Sequence, residues 1–167
     1  MHSQGGMTLL EILVVLVISA SLATLVVLRF SQADDEQLQH DSQRFSSLLK
    51  QHCQDAMLLN QVRGLSLSER GYRFWFWHNQ QWQAAASDQK IYRPREWAAD
   101  WDLTLKINGI DTPLNATLNA DSLQPQIICH ADGLLPVFKL RISSRQRHLT
   151  GIELSSNGGT LLRTRAL

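Results

Sequence analysis

Residues Met7 to Leu28, MTLLEILVVLVISASLATLVVL, form a run of 22 positions in which Glu11 is the one ionisable side chain. At a rise of about 1.5 Å per residue such a helix crosses a hydrocarbon core of about 30 Å. The run therefore predicts a transmembrane helix over 7–28, with Thr8, Ser19, Ser21 and Thr24 able to turn their hydroxyls onto helix carbonyls. A secretory signal peptide has a basic start, a shorter apolar core and a small-residue cleavage site after that core. Here MHSQGG carries no Lys or Arg and the apolar run is long, which favours a retained segment. An acidic side chain at mid-membrane depth costs roughly 2.5–3.5 kcal/mol, so Glu11 requires a partner or a purpose.

Past Arg29 the composition changes to SQADDEQLQHDSQRFSSLLKQHCQDAMLLNQ, and no Pro or Gly interrupts Phe30 to Arg63. Leu38, Phe45, Leu48, Leu49, Cys53, Ala56 and Met57 recur at spacings of three and four, one apolar stripe on a helix. This predicts a helix continuing over 29–63, ending at a Gly64 cap and resting its last turns on a sheet. From Gly64 the pattern is that of strands, so a β domain is expected over 64–167. GYRFWFWHNQQWQAA reads as a hairpin turning at His78 to Gln81, with aromatics on both faces. Leu103, Leu105 and Ile107 alternate, VFKLRI alternates, and turns are expected at Asp132-Gly133 and Asn157-Gly158-Gly159.

Sixteen basic against fifteen acidic residues leave a net charge of +1, which argues against a polyanion-binding surface as the main business. Arg141, Arg145, Arg147, Arg163 and Arg165 cluster late in the chain and read as solvated strand faces. Cys53 and Cys129 allow a single disulfide; two small buried thiols are the favoured reading, since sequence does not bring two Cα atoms together. His40, His52, His78, His130 and His148 are scattered, without the spacing of a helical metal motif. No nucleophile elbow or phosphate-cradling glycine loop occurs. No catalytic residue, metal or cofactor is expected.

The stretch GMTLLEILVV resembles the processing site of type IV pilins and pseudopilins. The resemblance implies a prepilin peptidase cut after Gly6, N-methylation of the new terminal amine on Met7, and Glu11 as the glutamate of the motif. Physically, the cut would set a positive amine about 6 Å along the helix axis from the Glu11 carboxylate, on a shared face. The pair could form within one chain or between neighbours, with Leu9, Leu10, Ile12 and Leu13 packing on adjacent helices.

Farther along, NQVRGLSLSERGYRFWFW, the ADG turn and GIELSSNGGTLLR are similar to minor pseudopilins of the H type from type II secretion systems. That resemblance implies an α+β fold, the long N-terminal helix packed on a C-terminal antiparallel β-sandwich-like domain. It also implies a single-pass protein of the bacterial inner membrane with its domain in the periplasm, built into a pseudopilus near the tip. The implied partners are the I, J and K minor types, the major pseudopilin, the peptidase that also methylates, and the inner-membrane secretion platform, with no nucleic acid. Trp75, Trp77 and Trp82 of the aromatic hairpin are the candidate partner surface. A minor pilin of a type IV pilus or DNA-uptake system is the alternative that shares the leader.

Overall fold

A computed structural model describes residues 9–85, 90–98, 101–118, 124–145, 147–159 and 162–167, without the side chains of 23–34 and 147–150. One helix, α1 (Leu9–Leu58), precedes ten strands. These are β1 (Arg63–Ser68), β2 (Gly71–His78), β3 (Gln81–Ala84), β4 (Arg95–Glu96) and β5 (Trp101–Ile107), then β6 (Ile110–Thr112), β7 (Ile127–Cys129), β8 (Val137–Ser144), β9 (Arg147–Asn157) and β10 (Leu162–Ala166). The chain divides into two compact units, up to Glu36 and from Gln37 onward.

In the second unit the strands form two antiparallel sheets, ordered β3-β2-β1-β7 with β4 beside β2, and β10-β9-β8-β5-β6. Local chemistry explains the hairpins. Between β2 and β3, Asn79 and Gln80 both take positive φ (49° and 61°), the two-residue turn whose twist matches paired strands. Asn108 and Gly109 (51° and 82°) do the same between β5 and β6. The turns expected around Asp132-Gly133 and Asn157-Gly158 are present, with both glycines at positive φ.

The helix ends at Leu58, short of the Arg63 end and Gly64 cap expected from the uninterrupted stretch. Asn60 adopts φ 49°, Gln61 N–H donates to Ala56 O at 2.9 Å and Asn60 N–H to Met57 O at 3.3 Å, the paired bonds of a Schellman termination. Asparagine fills the left-handed position that was assigned to Gly64. Gly64 instead lies in β1, where a Cβ would sit 2.5 Å from the Pro125 ring and 3.1 Å from that of Trp82. Its role is close approach between chains of side chains, not capping.

The expected stripe of α1 is core. Leu38, Phe45, Leu49, Cys53 and Ala56 are buried with Leu65, Leu67, Tyr72 and Phe74 of the first sheet and Leu105, Phe138, Leu140, Ile142 and Leu154 of the second. Met57 is the exception, exposed beside the helix end. Each large side chain contributes about 1.5–3 kcal/mol by leaving water. Three polar residues share the stripe, each with a partner. Ser42 Oγ donates to Leu38 O at 2.6 Å. Asp41 Oδ2 accepts from Trp101 Nε1 at 2.9 Å and from Ala98 N–H at 3.0 Å. His52 is described below.

Candidate functional site

The first described turns of α1 are apolar on every side. All large apolar residues from Leu9 to Leu22 are exposed, Leu9 at 82% and Leu10 at 72%, with Ile12 and Leu13 about half. Successive residues step about 100° around a helix, so the run leaves no polar face, and such a helix is stable only when lipid or other helices cover it. Ser21 Oγ donates to Val17 O at 2.8 Å, which keeps its hydroxyl from presenting an open donor. Glu11 lies on this exposed surface. Gly6 and Met7 lie outside the described residues, as do the side chains beyond Leu22 within the expected 7–28 span. Among the described residues no helix is long and apolar enough to cross a membrane.

The aromatic hairpin splits its residues between two faces. Tyr72 and Phe74 point to the helix, where Phe45 meets Tyr72 edge-on at 5.0 Å. Trp75 and Trp77 take the opposite face of β2. Trp77 stands directly across from Trp82 of β3, their rings 5.0 Å apart and inclined by 65°. Trp77 is 42% exposed and Trp82 half-buried. Trp75 is a correction: it is buried, with its Nε1 donating to Ser66 Oγ at 2.7 Å. A ring whose polar atom is already paired beneath neighbouring side chains is not available to a partner. Of the three tryptophans, only Trp77 and Trp82 reach the surface.

The last turns of α1 are pinned to the sheet by three devices. Cys53 and Cys129 are joined as a disulfide, their Cα atoms 5.0 Å apart, which replaces the two-thiol reading. The pairing arises because β7 lies beside β1 in register, Cys129 against Arg63, at the end of the helix stripe. Asp55 Oδ2 accepts from Tyr92 Oη at 2.5 Å and from Arg63 Nη1 at 3.2 Å. Burial first, and then the bond to Asp55, raise the Tyr92 phenol above its ordinary range.

The third device is His52, fully buried, whose Nε2 reaches Gly64 O at 3.2 Å and Trp75 O at 3.3 Å. Both acceptors are carbonyls, so Nε2 carries the proton and donates. Desolvation, with Arg63 nearby, lowers its pKa to about 4. The unfolded chain takes up this proton as pH falls through about 6.5, whereas the folded domain resists until about 4. Stability from the neutral ring is thus full above 6.5 and lost between 6.5 and 4, by about 3 kcal/mol. Urea midpoints at pH 7 and 4.5 should separate accordingly, and His52→Leu should flatten that slope. An unchanged slope in the variant would assign it to other groups.

Residues 1–27 match the prokaryotic N-terminal methylation motif. The type II secretion system protein H of Aeromonas hydrophila is 31% identical over 153 residues, covering 86% of this chain and 83% of that protein. The chain belongs to the H family of type II secretion minor pseudopilins. Protein H of Pseudomonas aeruginosa is 29% identical over 171 residues, covering 98% of this chain and 96% of its own length. The crystal structure of the minor pseudopilin EpsH of Vibrio cholerae shares the fold, with a TM-score of 0.63 over 78% of this chain and 94% of that one at 18% identity. Family membership selects the secretion reading over the pilus and DNA-uptake alternative.

In this pseudopilin the structure gathers residues that spacing left apart. Arg141, Arg163 and Arg165 share one face of the second sheet with Lys106 and Lys139, whereas Arg145 sits at the β8–β9 turn and the Arg147 side chain lies outside the described residues. The roles of Asp41 and His52 went unread because a polar residue inside an apolar stripe gives no sign of its partner. The one available signal was their place, at the i+3 and i−4 spacings of Leu38 and Ala56. Among the described residues no group of His, Cys, Asp or Glu is placed to hold a metal.

Proposed function

We propose that this pseudopilin is cut after Gly6, methylated on Met7 and held in the inner membrane by one pass, with the unit from Gln37 onward in the periplasm. It then enters the pseudopilus near its tip, beside the I, J and K types and above the major pseudopilin, and supports export of folded proteins. The observation that carries this reading is the helix apolar on every side, lying within the methylation-motif match. Such a helix exchanges lipid for neighbouring helices without exposing new apolar surface to water. Leu9, Leu10, Ile12 and Leu13 form the packing surface, and Glu11 meets a terminal amine, its own or a neighbour's. The Cys53–Cys129 bond supports a domain outside the reducing cytoplasm. Trp77 and Trp82 supply the partner surface on the domain.

Deletion of the chain in its own bacterium should leave exported enzymes trapped in the periplasm, and the intact chain should restore them to the medium. Normal export in the deletion strain, with twitching or DNA uptake lost instead, would assign the protein to a pilus.

A further inference from the structure

The outer face of the second sheet carries these cations in two rows set by strand register. One row runs Arg165, Glu153, Arg141, Thr104 across β10, β9, β8 and β5. The next runs Arg163, Ser155, Lys139, Lys106 and on to Asp111 of β6. Five cations thus face three acids, Asp102 lying beyond Thr104 on the same face, on a chain whose whole net charge is +1. Glu153 is taken by Arg141 at 3.0 Å and Lys139 at 3.5 Å, and Asp111 by Lys106 at 3.1 Å. Among the described residues neither Arg163 nor Arg165 forms an ion pair: Arg165 stands opposite Glu153 in register, but that carboxylate is turned to Arg141 and Lys139. A face built only for solvation would alternate its signs, whereas here Lys106 stands directly opposite Lys139, a like-charge pairing that disfavours the sheet.

These two arginines lie on the end strand of the sheet. β10 pairs with β9 alone, and every side chain of it beyond Leu162 is exposed, on both faces. Among the described residues nothing else pairs with its outer edge, which can receive another strand. Arg163 and Arg165 are two residues apart, about 7 Å, on one face. In an added antiparallel strand, residues i and i+2 would come directly opposite them with Cβ atoms about 5 Å apart, near enough for guanidinium forks to reach carboxylates at about 2.8 Å. Ser155 and Lys139 in the next strands leave the floor of this face open, beside a cleft of about 520 Å³ between Lys106, Lys139 and Glu153.

We propose that the β10 edge is a docking site for an extended acidic segment of a partner protein, added as a strand with alternate carboxylates on Arg163 and Arg165. Backbone bonds along the edge would hold the segment, and the two arginines would choose its charge and register. The site goes beyond the assembly reading and does not depend on it, because its test contains no other secretion component.

The test is a titration of the full chain in detergent micelles with a fluorescent decapeptide in which Glu alternates with Thr and Val. The all-Gln counterpart, and a version N-methylated at alternate amides to block strand pairing, run beside it. At 50 mM salt the Glu peptide should bind at least tenfold more tightly than either control. Arg163→Gln/Arg165→Gln should lose at least tenfold at an unchanged melting temperature, and Arg163→Lys/Arg165→Lys should recover part of it. Equal binding of the Gln peptide, equal binding of the N-methylated peptide, or an unaffected arginine variant would each overturn the proposal. So would tighter binding of a 20-base-pair duplex DNA through the same arginines, since the face would then be reading phosphate.

Discussion

Glu11→Leu should insert and be cleaved normally, yet enter filaments at one tenth of the wild-type level or less. Leucine removes the insertion cost of roughly 2.5–3.5 kcal/mol, so the membrane stage becomes easier. Assembly loses instead. With the proposed cut after Gly6, a positive amine would lie about one helical turn away, and covering it with apolar neighbours while removing its acid would leave a buried charge unpaired. Breaking a buried pair in this way costs about 3–5 kcal/mol, and partial hydration would still leave more than the 1.4 kcal/mol that makes a factor of ten. The ratio of protein in sheared filaments to protein in membranes, read by immunoblot, measures the effect. A wild-type ratio in Glu11→Leu would remove the pairing role, while Glu11→Asp should fall between the two.

Breaking the disulfide should have the next largest effect. Cys53 and Cys129 are 76 residues apart, and tying a loop of that length removes about 4.5 kcal/mol of freedom from the unfolded chain by the loop-entropy relation. Measured losses for such bonds run about 2–5 kcal/mol. The bond also holds a weakly paired element. β7 is an end strand of the first sheet, matched to β1 at only three register positions, Arg63–Cys129, Gly64–Ile128 and Leu65–Ile127. Cys53→Ala/Cys129→Ala should therefore lower the urea midpoint by an amount corresponding to about 2–5 kcal/mol. Amide protection should drop first in Ile127 to Cys129 and the last turns of α1. A midpoint and an exchange pattern matching the oxidised protein would contradict this account of how the helix is anchored.

The division between what the residues disclosed and what they hid follows from the range of each signal. Periodicity and turn chemistry are local, so α1, the β2–β3 hairpin and the Asn157-Gly158 turn were legible. The apolar stripe from Leu38 to Ala56 pointed correctly to a core. The helix end was misplaced because Gly64 outranks Asn60 as a cap in general preference, while here β1 needs Gly64 for room against Pro125. The cysteine pair, the burial of Trp75 and the two rows of cations all depend on which strands become neighbours. That is settled by long-range pairing, β7 on β1 and β5 on β8, and no window of residues contains it. The proposed assembly surface lies at the other extreme. Its acid, its apolar residues and its processing motif all fall within Gly6 to Leu13.

The central claim is that Glu11 serves an amine created by processing, and intact-mass and peptide mass spectrometry of the membrane-extracted protein tests it most directly. The mature chain should begin at Met7 and carry one methyl group on its terminal nitrogen. A chain that still begins at Met1, or one cut after the apolar run, would contradict it.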